Sequence, residues 1–218
     1  MRKHLAAAAT AGAALAVAVG LGTTPVAAAT ATWTVTPGGT FETPGTAHFS
    51  YLTDATTGTV FNCEGLNAGG TFKNGSGLTN PIGTIAFGSL VCGGPGGLEF
   101  GVTFSNPHMG IRAVKYDAST DIVYGAITHL HAAISTDSGG TCTGSIDGTG
   151  PTTDNGMVRF KYYNNAGELQ TRRGGGNLHA YNVTGCSGLI NSGDVLTYTG
   201  HVSIRSPSQL AVNVITSS

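Results

Sequence analysis

Charged side chains are scarce in this 218-residue chain, which carries 10 Lys and Arg against 11 Asp and Glu. Because there is no surplus of positive charge, we predict no nucleic-acid partner. The polar surface must come instead from Thr, Ser, Asn and 35 Gly residues. Such a composition favours strands and turns over helices.

Helical periodicity and the common cofactor motifs are also missing. After residue 29, no segment sustains a helical apolar repeat over three turns. The run Gly93–Gly97 contains a proline and lacks the Gly-Lys-Ser/Thr ending of a phosphate-binding loop. Gly75-Ser76-Gly77 lacks the spacing of a serine nucleophile elbow. We therefore predict no cofactor and favour a non-enzymatic protein.

Residues 1–29 have the three parts of an export signal. The basic start Arg2-Lys3-His4 precedes an alanine-rich apolar run from Leu5 to Leu21, and Ala27-Ala28-Ala29 offers small residues for cleavage. The apolar run is too short for a good membrane span. We predict cleavage after Ala29 and a secreted all-β domain over residues 30–218. This extracellular product would have no membrane contact and, at most, a loose association with the cell wall.

Four cysteines lie after the predicted signal: Cys63, Cys92, Cys142 and Cys186. An even number of cysteines in an exported protein indicates disulfides. A metal site would need closer spacing, such as C-x-x-C, and none is present. Three pairings are possible. We favour Cys63–Cys92 and Cys142–Cys186, which keep each bridge within one half of the chain.

Alternation of apolar and polar residues predicts strands along the whole chain. It is clearest at Leu98–Phe104, and at Val158–Tyr162 it places Arg159 and Lys161 on the outer face. Glycine-containing turns follow about every ten residues. The pattern predicts a single all-β domain, an antiparallel β-sandwich or barrel-like fold with two disulfides. Further strands are expected at Thr32–Thr36, Ala47–Leu52, Thr59–Cys63, Gly83–Cys92, Ile111–Tyr116, Ile122–Ile134, Asn177–Thr184, Leu196–Ile204 and Gln209–Ile215.

His129 and His131 form the most distinctive pair of potential ligands. Residues i and i+2 of a regular strand point to the same face and could share a metal ion, with His179 or Glu168 as a third ligand. The alternative is a strand whose solvent face happens to carry two histidines. We favour this alternative and predict no metal.

Other polar and aromatic groups have common structural explanations. Tyr162-Tyr163 could offer one ring to a sugar, although core packing is the more frequent role of such rings. Arg172-Arg173 is the one local concentration of positive charge, on a predicted loop. It could contact an anionic polymer such as a cell-wall teichoic acid or an acidic glycan. Potential carboxylate pairs of the kind that glycosidases use can be drawn from Glu64, Glu99, Asp117, Asp147 and Glu168, but these residues form no distinctive cluster in the sequence.

Five segments carry a family resemblance: Trp33–Gly39, Asp54–Thr59, Gly75–Leu78, Tyr116–Thr120 and, most specifically, Gly176–Cys186. Their order resembles that of a family of small secreted all-β proteins from actinomycetes, known mainly as proteins of unknown function. The resemblance implies that the four cysteines and the histidines at positions 131 and 179 recur, whereas His129 does not. The chain departs from the family at Asn106–Met109. The family supplies no established catalytic residues.

Two functions follow from these observations. The first is a non-enzymatic secreted protein with a binding or structural role, whose partner is an extracellular or cell-wall glycan, a small ligand or another protein. The second is a secreted hydrolase or metal-dependent enzyme that uses His131 or His179. It predicts a deep pocket in which one of these histidines meets a carboxylate. For either function, we expect His131, His179 and Tyr181 at the site.

Overall fold

The computed structural model describes residues 31–43, 50–105, 107–136, 141–204 and 214–217. The predicted export signal and parts of the predicted strands Ala47–Leu52 and Gln209–Ile215 lie outside these residues. Within the described ranges, no helix has the length and apolar character of a membrane span. The strands are β1 Trp33–Thr36, β2 Gly39–Glu42, β3 Ser50–Asp54, β4 Val60–Glu64, β5 Ala68–Phe72, β6 Gly75–Leu78, β7 Gly83–Phe87, β8 Leu90–Gly93, β9 Glu99–Phe104, β10 Met109–Asp117, β11 Ile122–Leu130, β12 Ala132–Ser135, β13 Thr143–Asp147, β14 Gly156–Tyr163, β15 Glu168–Gly176, β16 Leu178–Thr184, β17 Val195–Ser203 and β18 Val214–Ser217.

Eight strands close into an antiparallel barrel. Their order is β3-β4-β8-β9-β12-β13-β16-β17, and β17 pairs again with β3. Alternate residues face inward, as in β12, where Ala132 and Ile134 are buried between exposed neighbours. The apolar interior keeps about 30 Å³ of free space, room for about two water-sized spheres. The barrel interior is therefore a packed core, and a larger ligand must bind elsewhere.

The same sheet continues beyond the barrel through the long strand β17. Its first part pairs with β3, and Gly200–Ser203 pair with β15. From β15 the order continues β14-β11-β10-β7-β5-β2. The inner face of this sheet is apolar, with Ile85, Ile111 and Ile127 fully buried. The outer face of β10, β11 and β14 carries the exposed cations Arg112, Lys115 and Arg159.

Both predicted disulfides are present, and the predicted all-β fold takes its barrel form. Cys63 on β4 lies directly opposite Cys92 on β8 and is bonded to it. Cys142 precedes β13 and is bonded to Cys186, which follows β16. Each bridge therefore joins neighbouring strands of the barrel. Such bridges are typical of proteins that fold in an oxidising environment.

Several strand predictions need correction. Ile122–Ile134 is two strands, because His129 has a φ of 63° and the chain leaves β11 before β12 begins. Gly83–Cys92 is also two strands, β7 and β8. Arg172-Arg173, expected on a loop, lies within β15. The glycine-rich strands β2, β5 and β6 were not predicted, nor were β13 and β15, because glycine and threonine weaken the apolar alternation on which such predictions depend.

Candidate functional site

The three predicted binding residues His131, His179 and Tyr181 surround the segment Asp147-Gly148. His131 Nδ1 lies 2.8 Å from Asp147 Oδ2. His179 Nδ1 lies 3.0 Å from the Gly148 carbonyl oxygen, and the Tyr181 hydroxyl donates to the same oxygen at 2.9 Å. Strand pairing explains the arrangement, since β13 lies between β12 and β16. The sequence indicated these three residues, whereas Asp147, the residue that links to His131, was one of five candidate carboxylates.

The Asp147 carboxylate is fully buried, yet it is surrounded by donors. Its oxygens accept the backbone N–H groups of Gly148, Asp154 and Asn155 at 2.6, 3.0 and 3.1 Å, and the Thr153 hydroxyl at 3.2 Å. Burial alone would raise the pKa of Asp147, but these backbone donors and the His131 imidazole outweigh it and lower the pKa to about 2. A permanent negative charge therefore lies against His131.

An open groove of about 360 Å³ adjoins this pair and is lined by Ser105, Pro107, His131, Thr152 and Asp154. The His131 side chain is 24% exposed, whereas that of Asp147 is 0% exposed. The imidazole therefore covers the carboxylate and is itself accessible. We call this region the His131 groove.

The shared metal site considered for His129 and His131 depends on a regular strand, and the strand is not regular there. The positive φ of His129 coincides with a shift in the pairing of β11 with β14 between Thr128 and Leu130. Such an irregularity breaks the alternation that would place i and i+2 on one face. Glu168 lies on β15 opposite Tyr163. Among the described residues, no three His, Cys, Asp or Glu side chains are grouped to hold a metal ion.

A second candidate site occupies the outer face of β10, β11 and β14. We call it the basic face and define it by Arg112, Lys115, Tyr124, Arg159 and Lys161. Arg112 and Arg159 flank Ala126 in one row across the three strands, and Lys115 and Lys161 flank Tyr124 in the next row. Four of the chain's ten Lys and Arg residues thus lie on one surface. The predicted outward placement of Arg159 and Lys161 is confirmed, since Arg159 is exposed and Lys161 is half-buried.

A β-bulge brings Arg112 and Lys115 to the same side. Residues three apart on a regular strand face opposite ways, but the pairing with β11 shifts between Ala113 and Lys115. Val114 is the extra residue and is 69% exposed. On the other edge of β10, the Asn80 amide takes the place of a neighbouring strand, donating to Ala113 O at 2.7 Å and accepting from Ala113 N at 2.9 Å. No local pattern in the sequence indicates this bulge.

Tyr124 lies between two lysine ammonium groups. Lys161 Nζ is 5.2 Å and Lys115 Nζ 5.9 Å from the centre of its ring, within the range of cation–π attraction. The stem of Arg159 lies against Gly175, where a β-carbon would come within 2.9 Å of Arg159 Cβ. In the part of the chain that the structure describes, no carboxylate forms an ion pair with any of the four cations.

The chain matches no protein-family model, no curated protein and no solved structure. The resemblance to secreted actinomycete proteins therefore stays a prediction.

The remaining aromatic candidates are core residues or lie beside the core. Trp33 and Tyr162 are 1% and 0% exposed, and burial raises the pKa of Tyr162 well above its usual range. Tyr163, the second residue of the predicted pair, is half-buried. The side-chain positions of Arg172 and Arg173 are outside the described part, although their place in β15 puts them next to β14.

Proposed function

We propose that the protein is an exported binding protein that holds an anionic cell-wall polymer on its basic face. One observation carries this proposal: Arg112, Lys115, Arg159 and Lys161 surround Tyr124 on one sheet surface without a paired carboxylate among the described residues. The export signal read from residues 1–29 and the two disulfides support an extracellular location.

The charge arrangement is unusual for this composition. With a net charge of −1, scattered charges would produce no strong local field. Clustered on one face, the four cations attract a polyanion over a distance and release its counterions on contact. A single exposed ion pair contributes about 0–1 kcal/mol, so affinity has to come from several contacts at once. A polymer with repeated charges provides them.

The spacing of the cations suits a polymer whose backbone carries phosphodiester groups. Arg112 and Arg159 are two strands apart, about 10 Å, and Arg159 and Lys161 are two residues apart along β14, about 7 Å. The shorter spacing is comparable with the distance between phosphorus atoms in a polyol phosphate chain such as a teichoic acid. Arg guanidinium groups bind phosphate through paired N–H donors, and Lys binds it as a point charge.

A titration against a set of polymers tests this function. The wild-type protein and the variant with Arg112→Gln, Lys115→Gln, Arg159→Gln and Lys161→Gln would be titrated with poly(glycerol phosphate), polygalacturonate and duplex DNA at physiological salt. We expect the wild type to bind poly(glycerol phosphate) most tightly and the variant to lose at least 100-fold in affinity. Equal affinity of the wild type for DNA or polygalacturonate, or unchanged binding by the variant, would overturn the proposal.

A further inference from the structure

The His131 groove has features that the basic face does not explain. A buried charge is costly unless it is paired and fully hydrogen-bonded. Asp147 meets that condition with three backbone N–H groups, one hydroxyl and the imidazole of His131. Four of these donors belong to the loop 148–155. The fifth is a histidine at the edge of an open groove.

The hydrogen bond to Asp147 fixes the state of the His131 ring. A carboxylate only accepts hydrogen bonds, so Nδ1 must carry the hydrogen and Nε2 of the neutral ring holds the lone pair. The Nδ1 edge is covered because Asp147 is fully buried. The exposed part of the ring therefore includes its opposite edge, which lines the groove. An oriented imidazole with an accessible Nε2 is the arrangement required of a general base.

Ser105 lies on the other side of His131 from Asp147. The Ser105 N–H donates to the His131 carbonyl at 3.0 Å and extends the ladder in which Phe104 pairs with Ala132. Residues that face each other across antiparallel strands have β-carbons about 5 Å apart on the same face. Ser105 is exposed and lines the same groove as His131. Three residues therefore lie side by side on neighbouring segments of the barrel: Ser105 as a nucleophile, His131 as a base and Asp147 as a carboxylate.

We propose that Ser105, His131 and Asp147 form a hydrolytic site for small carboxylic esters, an activity beyond polymer binding. Ser105 Oγ attacks the ester carbonyl while His131 Nε2 takes the hydroxyl proton. The proton then passes to the departing alkoxide, which leaves as an alcohol, and the acyl group stays on Ser105. Water, deprotonated by the same nitrogen, releases the acid and restores the serine. Asp147 is a positioning residue, because it acts through His131.

The size and lining of the groove define the substrate class. About 360 Å³ of open space accepts an acyl group of a few carbons, such as acetyl, on a hydrophilic alcohol. The groove is open, so a long acyl chain bound there would remain exposed to solvent. Short acyl esters of sugars or polyols fit this chemistry.

Covalent labelling separates this activity from a purely structural role of the His131–Asp147 pair. The full-length secreted protein would be incubated with a fluorophosphonate, whose phosphorus accepts Ser105 Oγ as fluoride leaves, and the modified peptide identified by mass spectrometry. We expect labelling at Ser105 in the wild type and in Ser76→Ala, a control serine on the exposed strand β6. Labelling should be lost in Ser105→Ala and fall at least 100-fold in His131→Gln. No labelling of Ser105, or equal labelling in His131→Gln, overturns the proposal.

Hydrolysis of p-nitrophenyl acetate provides the second measurement. Ser105→Ala and His131→Gln should each lower kcat/KM at least 100-fold relative to Ser76→Ala. Asp147→Asn should lower kcat with little change in KM, because the acyl group does not touch Asp147. If Asp147→Asn does not fold, His131→Gln decides, since it leaves the loop donors of Asp147 in place. Wild-type hydrolysis no faster than that of Ser105→Ala would exclude the site, whatever the outcome for the basic face.

Discussion

The Asn80 side chain pairs with Ala113 as a strand would, with one hydrogen bond of 2.7 Å to its carbonyl and one of 2.9 Å from its N–H. The pairing lies at the β-bulge that brings Lys115 to the same face as Arg112. We infer that Asn80 stabilises the bulge and so positions one of the cations of the basic face. A residue outside the surface thereby helps to determine its charge pattern.

Asn80→Ala should weaken both the fold and the binding of polymer. Loss of two hydrogen bonds, each contributing about 1 kcal/mol, should lower the free energy of unfolding by about 2 kcal/mol. Because Lys115 would no longer be held beside Tyr124, affinity for poly(glycerol phosphate) should also fall several-fold. Chemical denaturation and a binding titration of the folded variant measure the two effects. Reduced stability with unchanged affinity would show that the bulge does not position Lys115 for binding.

The lowered pKa of Asp147 predicts that the protein loses stability in acid. Its pKa is lowered from 3.8 to about 2 in the folded protein, so the stabilisation is complete above pH 4 and disappears as the pH falls through 2. The difference corresponds to about 2 kcal/mol. Asp147→Asn should lack this pH dependence. It should also be less stable at pH 7, because the N–H groups of its amide would face the N–H groups of His131 and Asp154, which need an acceptor. Urea denaturation from pH 5 to pH 2 checks this, and parallel curves for both proteins would refute it.

The raised pKa of Asp54 predicts the opposite dependence of stability on pH. Asp54 Oδ1 accepts the N–H groups of Thr56 and Thr57, whereas Oδ2 is buried and meets no donor among the described residues. Burial and the neighbouring Asp194 raise the pKa of Asp54. Burial also opposes ionisation of Asp194, but the hydrogen bond from Asp54 and the donors of Asn191 lower its pKa. Asp54 therefore stays protonated to a higher pH than an ordinary aspartate, beside the ionised Asp194.

Asp54→Asn should stabilise the protein as the pH rises. The raised pKa of Asp54 means that its favourable contribution is present below pH 3.8 and is lost as the pH passes the folded-state pKa, when two buried carboxylates repel each other. An asparagine keeps the acceptor for Thr56 and Thr57 and donates to Asp194 without ionising. We expect a gain of about 1 kcal/mol or more at pH 8 and little difference near pH 4. Thermal unfolding at the two pH values measures it, and a loss of stability at pH 8 would contradict the raised pKa of Asp54.

Removal of the bridge between Cys142 and Cys186 should destabilise the barrel. The bridge closes 44 residues, for which loop entropy gives about 4 kcal/mol. The double variant Cys142→Ser/Cys186→Ser should therefore unfold at lower denaturant concentration than the wild type. The double variant Cys63→Ser/Cys92→Ser, in which 29 residues are released, is the matched comparison. An unchanged midpoint would show that neighbouring strand pairs already hold the loop closed.

Much of the fold could be predicted because its signals are local. Alternation identified β9, β14 and β17, and the number and context of the cysteines led to the two bridges. The histidines at positions 131 and 179 and Tyr181 were also expected to lie together, and they surround Asp147-Gly148. These features depend on the periodicity of a strand or on one residue type, both of which can be read directly from the sequence.

The rest depends on contacts between distant segments. Arg112 and Lys115 would face opposite ways on a regular strand, and only the bulge beside Asn80 brings them together. In the sequence, Asp147 is one carboxylate among several. Only the place of its strand β13 between β12 and β16 brings it to His131. The break at His129 needs a positive φ that a histidine adopts only when the surrounding structure imposes it. Such features depend on strand order, which is determined by contacts between residues far apart in the sequence.

The most direct test of the basic face compares two variants that each remove one positive charge. Lys161→Gln removes a cation beside Tyr124, whereas Lys73→Gln removes an exposed cation from outside this face. Titration with poly(glycerol phosphate) at physiological salt should show a loss of about fivefold in affinity for Lys161→Gln, equivalent to about 1 kcal/mol, and no more than twofold for Lys73→Gln. Equal losses in the two variants would mean that net charge alone attracts the polymer, which would contradict the existence of a binding site on the basic face.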